Sequence, residues 1–101
     1  MIIYNVTIQP LWEIHNAWKE WMTKTHLPEM METGCFVQYQ FCRLMEVDEC
    51  EGPTYTAQYF VHNIEMYNRY INDFSAGMRQ KGLDLWGAKM VAFRSLMEVV
   101  H

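Results

Sequence analysis

The segment IIYNVTIQ, residues 2–9, alternates apolar and polar side chains and decides the fold. A period of two is typical of a β-strand with one buried face, because successive side chains in a strand point to opposite sides. The period changes after Pro10, where apolar residues recur at steps of three and four and predict an amphipathic helix. The predicted apolar stripe consists of Leu11, Ile14, Trp18, Trp21 or Met22, and Thr25. The chain therefore opens with a strand and a helix that we expect to run to about His26.

The rest of the chain shows the same two periods in turn. Pro28 disfavours the helical conformation at Leu27, and Gly34 ends any short helical continuation. The remaining predicted elements are strands over residues 35–46 and 54–61, a helix from the N-cap Asn63 to about Trp86, and a strand over residues 89–100.

Two details qualify these elements. The acidic, turn-rich segment 47–53 predicts a mobile loop that joins two strands of a hairpin. Gly77 and Gly82 lie late in the second helix and predict a bend or break in its last turns.

The element order β-α-β-β-α-β predicts the ferredoxin-like architecture of the α+β class. In this architecture two helices cover one face of a four-stranded antiparallel sheet. The expected strand order is 4-1-3-2, with the first and third strands at the centre. No linker or internal repeat interrupts the pattern, so we expect one domain over residues 1–101.

Composition excludes several functional classes. A chain of 101 residues is too short for a multidomain enzyme, and half of its residues are hydrophobic, which excludes a disordered regulator. Its formal charge of −4 argues against a nucleic-acid binder, since such proteins carry a basic surface.

Cysteine usage and the N-terminal residues predict a cytoplasmic setting. The three cysteines, Cys35, Cys42 and Cys50, form no pair with the spacing of a zinc site and do not suggest a disulfide framework. No secretory signal is recognisable, and no apolar run approaches the roughly 18 residues that predict a membrane span. We therefore expect no membrane partner.

The uncovered face of the predicted sheet is polar but has few charges. We expect Val91 and Phe93 to face the helices, which leaves on the other face Asn5, Thr7, Gln38, Gln40, Thr56, Gln58, Arg94 and Glu98. Amide and hydroxyl groups suit a partly dehydrated surface that must still form hydrogen bonds. This composition favours a face that packs against a partner or a cavity, and a freely solvated sheet is the alternative.

Five motifs resemble a family of short, uncharacterised bacterial proteins of unknown function in the dimeric α+β barrel superfamily. The motifs are MIIYNVT at residues 1–7, WxxWMxxxHxP at 18–28, TGxF at 33–36, TYxxQY at 54–59 and FRSLME at 93–98. The resemblance implies that two ferredoxin-like sheets pack face to face in a homodimer. It leaves the chemistry open, because the superfamily includes cofactor-independent monooxygenases, isomerases, haem enzymes and ligand-binding modules.

His26 is the first candidate catalytic residue. A histidine near the border of helix and sheet can hold or shuttle a proton for a carbonyl or phenolic ligand, since its pKa lies near neutrality. The alternative is a helix-terminal histidine that interacts with backbone carbonyls and the helix dipole. The resemblance favours the catalytic role, because related small barrels often place a histidine on this helix.

Arg94 and Asn5 are the other candidate catalytic residues. On a neutral sheet face, Arg94 can bind a ligand carboxylate or pair across a dimer, and the dimer contact is the favoured interpretation. Asn5, Thr7 and Gln58 would then orient a ligand or form hydrogen bonds between sheets.

Trp18 and Trp21, with Tyr4 and Gln58, are the candidate ligand-binding residues. Tryptophans on one helix can line a pocket for a flat ligand, although at helical spacing they are more often core residues. The acidic loop lacks the pattern of a calcium site, so we expect neither a metal nor a cofactor.

Together these features predict a homodimer that binds a small aromatic or apolar molecule. If the protein is an enzyme, we expect monooxygenase-like or isomerase-like chemistry without a cofactor, with His26 as the acid or base. The alternative is a non-catalytic structural or regulatory module that acts through protein partners.

Overall fold

Four strands form one antiparallel sheet in the computed structural model, which describes residues 1–101. The strands are β1 (Ile2–Pro10), β2 (Gln38–Arg43), β3 (Tyr55–Val61) and β4 (Met90–Glu98). They lie in the order β2-β3-β1-β4, which is the predicted order read from the opposite edge. The α+β, ferredoxin-like architecture is therefore confirmed.

The helices pack on one face of this sheet. They are α1 (His15–Trp21), α2 (Leu27–Glu32), α3 (Ile64–Asp73) and α4 (Ser75–Trp86), with 3₁₀ turns at Trp12–Ile14 and Gly87–Lys89 and a π turn at Met22–His26. None of them combines the length and the apolar character that a membrane crossing requires.

The core lies between the helices and the two central strands. Its sheet residues alternate along β1 and β3, as the period of two requires, and are Tyr4, Val6, Ile8, Tyr55, Ala57, Tyr59 and Val61. The buried residues from the helices are Trp18, Met22, Leu27, Met30 and Tyr70. Burial of this apolar surface is the main favourable contribution to folding.

The first helical region continues past Pro28, contrary to the predicted end near His26. Proline lacks an N–H group, and its ring would clash with the carbonyl four residues earlier in a regular α-helix. The π turn at Met22–His26 widens the helix just before Pro28 and accommodates this ring. It also changes the spacing of the buried residues. Met22 and Leu27 are buried, whereas Thr25, which was predicted on the apolar stripe, is exposed.

The second helix breaks earlier than the glycines suggest. Asn63 is its N-cap, as predicted, and its side chain accepts a hydrogen bond of 3.0 Å from the backbone N–H of Met66. The break lies at Phe74, which has φ −127° and ψ −33°. The Ser75 hydroxyl donates to the Ile71 carbonyl at 2.9 Å, an interaction that commonly bends helices.

The predicted faces of β4 are wrong. Arg94 pairs in register with Val6 and therefore points to the helix side of the sheet, whereas Phe93 pairs with Thr7 on the uncovered side. Val91 and Phe93 are 61% and 65% exposed on that side. The prediction failed because β4 carries apolar residues on both faces, so the period of two does not distinguish them.

The loop between β2 and β3 is held by specific contacts, although the sequence predicts a mobile segment. Arg43 forms an ion pair of 2.9 Å with Glu49, and the Trp12 indole N–H donates to the Glu49 carbonyl at 2.8 Å. Gly52 packs directly against the Pro10 carbonyl, where a Cβ atom would lie 1.9 Å from the oxygen. The loop is thereby fixed to the end of β1 and the beginning of the first helical region.

Candidate functional site

A cavity of about 230 Å³ lies between the helices and the sheet, beside β1 and β4. Of its 17 lining residues, 12 are hydrophobic. The sheet contributes Tyr4, Val6, Ile8, Tyr59, Met90, Ala92 and Arg94, and the helical regions contribute Trp21, Met22, His26, Met30, Tyr70, Met78, Arg79, Gly82, Leu83 and Gly87. An apolar cavity of about 150 Å³ accommodates benzene, so this one has room for an aromatic ring with substituents.

His26 is a largely buried titratable group in the cavity wall. Its Nδ1 atom is buried and has no hydrogen-bond partner in the protein. Burial lowers the pKa of His26 to about 4, and the charges of Lys81 and Arg94 act in the same direction against the opposing effect of Glu29. The imidazole is therefore neutral at pH 7 and can accept a proton.

The π turn determines the position of the His26 ring. His26 stacks on Trp21, with 4.8 Å between ring centroids and 25° between ring planes. In a regular α-helix, side chains five residues apart point about 140° away from each other. In a π turn the i→i+5 repeat brings them to nearly the same side, which allows this stack.

Two arginines supply positive charge to the cavity. The Nε–H of Arg94 donates to the Tyr4 hydroxyl at 3.1 Å, which holds the guanidinium against the sheet. Arg79 reaches the cavity from α4. No aspartate or glutamate lines the cavity, so neither positive charge is neutralised there.

Three tyrosines add hydroxyl groups to the lining. Tyr4, Tyr59 and Tyr70 come from different elements, and their rings contact one another at centroid distances that include 6.0 Å for Tyr4 and Tyr59 and 5.6 Å for Tyr4 and Tyr70. Burial raises the pKa of Tyr59 and of Tyr70, so both hydroxyls keep their protons at neutral pH. The Tyr70 hydroxyl donates to the Met30 sulfur at 3.3 Å, whereas the Tyr4 hydroxyl accepts from Arg94 and keeps its own proton for donation.

The structure divides the predicted site residues into groups. Four of them line the cavity together: Tyr4, Trp21, His26 and Arg94. Trp18 lies outside it, fully buried in the core, with its indole N–H donating to the Met90 sulfur at 3.2 Å. Asn5 and Gln58 pair in register on the uncovered side of the sheet, away from the cavity.

The uncovered face combines polar and apolar side chains. Its centre carries amide groups, and the Nε2 atom of Gln40 donates to Oε1 of Gln58 at 3.4 Å. Asn5 is only 7% exposed, and its Oδ1 atom has no hydrogen-bond partner. Towards β4 the face becomes apolar, with Val91 and Phe93 exposed.

The sequence matches one described protein family over almost its whole length. The family is Domain of unknown function (DUF4286), and the match covers residues 1–100. The chain belongs to the DUF4286 family. No curated protein matches its sequence.

Solved structures with the same fold have very different sequences from the DUF4286 chain. An antibiotic biosynthesis monooxygenase superposes with a TM-score of 0.69 at 11% identity, covering 100% of both chains. A dimeric ferredoxin-like protein from an uncultured marine organism gives 0.65 at 10% identity, covering 100% of this chain and 96% of that one. SnoaB, a cofactor-independent oxygenase from Streptomyces nogalater, gives 0.64 at 12% identity, covering 99% and 94%. At these identities the likeness shows the fold.

Sequence reasoning missed part of the cavity of the DUF4286 chain. Arg79 and Met78 belong to α4, where polar and apolar residues are not cleanly separated and the helical period gives little information. Tyr70 lies on α3 three residues after Tyr67, and this spacing is typical of a core residue and does not indicate a cavity. No cluster of three or more His, Cys, Asp or Glu side chains comes together to form a metal site.

Proposed function

We propose that the DUF4286 chain forms a homodimer in which each cavity binds a small aromatic or apolar molecule and His26 transfers a proton to or from it. The observation that carries this proposal is a neutral imidazole in the wall of a mostly apolar cavity. A hydroxyl or acidic C–H group of a ligand bound there would lie beside the His26 ring. The lowered pKa keeps the imidazole unprotonated at neutral pH, which is the form that can accept a proton.

The proposed chemistry begins with proton transfer to His26. The ligand then carries negative charge on an oxygen, which the Arg94 guanidinium and nearby tyrosine hydroxyls stabilise. Return of the proton to a different carbon gives an isomerisation. Alternatively, the carbanion donates one electron to molecular oxygen. The resulting carbon radical and superoxide then combine to form a peroxide, which is an oxygenation without a cofactor. The names of two structural neighbours, a monooxygenase and a cofactor-independent oxygenase, are consistent with the second outcome.

The uncovered sheet face supports the homodimer. Its exposed Val91 and Phe93 side chains form an apolar surface that association would remove from water. Asn5 and Gln58 lie on the same uncovered face, opposite each other on β1 and β3. We therefore assign Asn5 and Gln58 to the contact between sheets. Two structural neighbours are described as dimeric ferredoxin-like proteins.

A neutral probe tests the catalytic part. The probe 2-indanone is an aromatic ketone with acidic C–H groups, whose exchange for deuterium is followed by proton NMR. We expect the protein to accelerate the exchange, and His26→Phe to reduce this acceleration at least about 100-fold, because general-base catalysis contributes that much. The matched control, His62→Phe, changes an exposed histidine outside the cavity. Equal exchange rates with wild type and His26→Phe would overturn the role of His26.

Sedimentation tests the homodimer. We expect the wild-type chain of 12.1 kDa to sediment as a dimer at micromolar concentration. Phe93→Asp should produce monomers, because it places a charge on the uncovered face, whereas Leu85→Asp on α4 should not. A wild-type protein that sediments as a monomer would refute the proposed dimer.

A further inference from the structure

We propose that the molecule bound in this cavity is an aromatic carboxylate whose carboxylate group is held by Arg94 and Arg79. This inference rests on the proposed function, because it assumes that the cavity is the ligand site. It goes further by assigning the ligand a charge and by adding Arg79 to the residues that bind it.

The cavity arginines lack the carboxylate partners that most basic residues of this chain have. The chain has eight lysines and arginines. Five of them lie within 4.0 Å of a carboxylate: Lys24, Arg43, Arg69, Lys81 and Lys89. The three without such a partner are Lys19, Arg79 and Arg94. Two of these three therefore lie in the wall of one cavity.

The cavity contains positive charges but no negative ones. The chain carries 12 acidic residues and a formal charge of −4, yet none of the acidic residues lines the cavity. The carboxylate whose charge raises the pKa of His26 belongs to Glu29, which pairs with Lys81 at 2.8 Å. Arg79 and Arg94 are partly open to solvent and have no carboxylate partner in the protein. An anion in the cavity would supply that partner.

The Arg94 side chain is already oriented for binding. Its Nε–H group donates to the Tyr4 hydroxyl, and its two terminal nitrogens make no hydrogen bond to the protein. A planar guanidinium with free terminal N–H groups matches the two oxygens of a carboxylate. Because Tyr4 holds the guanidinium in place, less conformational entropy is lost when the ligand binds.

The cavity lining indicates the rest of the ligand. Beyond the arginines and His26 it is dominated by aromatic, methionine and aliphatic side chains, including Trp21, Tyr59 and Met30. These surfaces suit a flat hydrocarbon ring, and the volume of about 230 Å³ suits one or two fused rings with a small substituent. A carboxylate on such a ring satisfies both parts of the lining.

A pair of probes of the same shape tests the assigned charge. Calorimetric titration compares 2-naphthoate with 2-naphthamide, which differ in charge but hardly in size. We expect 2-naphthoate to bind at least about tenfold more tightly, because a hydrogen bond to a charged group contributes more than a neutral one. Arg94→Gln and Arg79→Gln should each remove most of this preference and leave 2-naphthamide binding little changed. The control Arg69→Gln, on the exposed side of α3, should leave the preference intact.

The outcomes separate this inference from the proposed function. Equal affinity of the wild-type protein for the two probes would overturn the carboxylate assignment while supporting the cavity as a ligand site. A preference that survives in both arginine variants would overturn the assignment of these residues. If neither probe binds at millimolar concentration, both this inference and the proposed ligand site are refuted.

Discussion

The pH dependence of stability provides a direct test of the environment of His26. An unfolded chain binds a proton at this histidine near pH 6.5, whereas the folded protein binds it only near pH 4. Between these values the unfolded state holds more protons, so the free energy of unfolding decreases as the pH falls through this window. A shift from 6.5 to about 4 corresponds to about 3 kcal/mol, at 1.36 kcal/mol per pKa unit. Above pH 7 this histidine makes no pH-dependent contribution.

Urea unfolding between pH 4 and pH 8 measures this contribution. Carboxyl groups also titrate at the acidic end, so the informative quantity is the difference between wild type and His26→Phe, which keeps an aromatic ring against Trp21. We expect the wild type to lose about 3 kcal/mol more than the variant over this range. The same replacement at the exposed His62 should preserve the wild-type loss. Parallel pH profiles for wild type and His26→Phe, or an NMR titration midpoint of His26 near 6.5, would refute the assigned environment.

Four further substitutions test the packing. Pro28→Ala should leave the π turn in place, because a regular α-helix of the same length would turn Leu27 away from the core; a large change in tryptophan fluorescence would contradict this. Gly52→Ala should lower the free energy of unfolding by about 1–3 kcal/mol, because its Cβ meets the Pro10 carbonyl, whereas Gly77→Ala has open space and should raise it by about 0.5–1 kcal/mol. Trp18→Ala should cost about 3–5 kcal/mol, since this side chain is fully buried; a loss below 1 kcal/mol would disprove its place in the core.

The sequence predicted the fold wherever one face of an element was clearly more apolar than the other. The strict alternation of β1 and β3 gave both central strands, and the side chain of Asn63 marked the start of the second helix. In β4 the two faces do not differ in this way, because Phe93 and Leu96 lie on opposite faces and are both hydrophobic. Its hydrogen bonds to β1, rather than its own pattern, determine which side Arg94 faces.

The candidate site was only partly predictable for a related reason. Chemistry and position in the sequence are enough to predict three site residues that line the cavity, namely Tyr4, Trp21 and His26. The contact between Trp21 and His26 depends on the π turn. The sequence rule that a proline ends a helix predicts a helix end at Pro28 instead. Arg79 comes from a helix with no clear apolar side, so only the tertiary packing of α4 brings it to the cavity.

The π turn also matters for the comparison of related chains. It holds one residue more than a regular helical turn would, between the buried residues Met22 and Leu27. A relative with a one-residue deletion here could keep both core positions by adopting a plain α-helix. If the deletion spares the histidine, that residue would lie four positions after the tryptophan, on the same side of a regular α-helix, and the two rings could still stack. A single gap at this point of an alignment is therefore compatible with the proton acceptor, and the residue type aligned with His26 decides which homologues retain it.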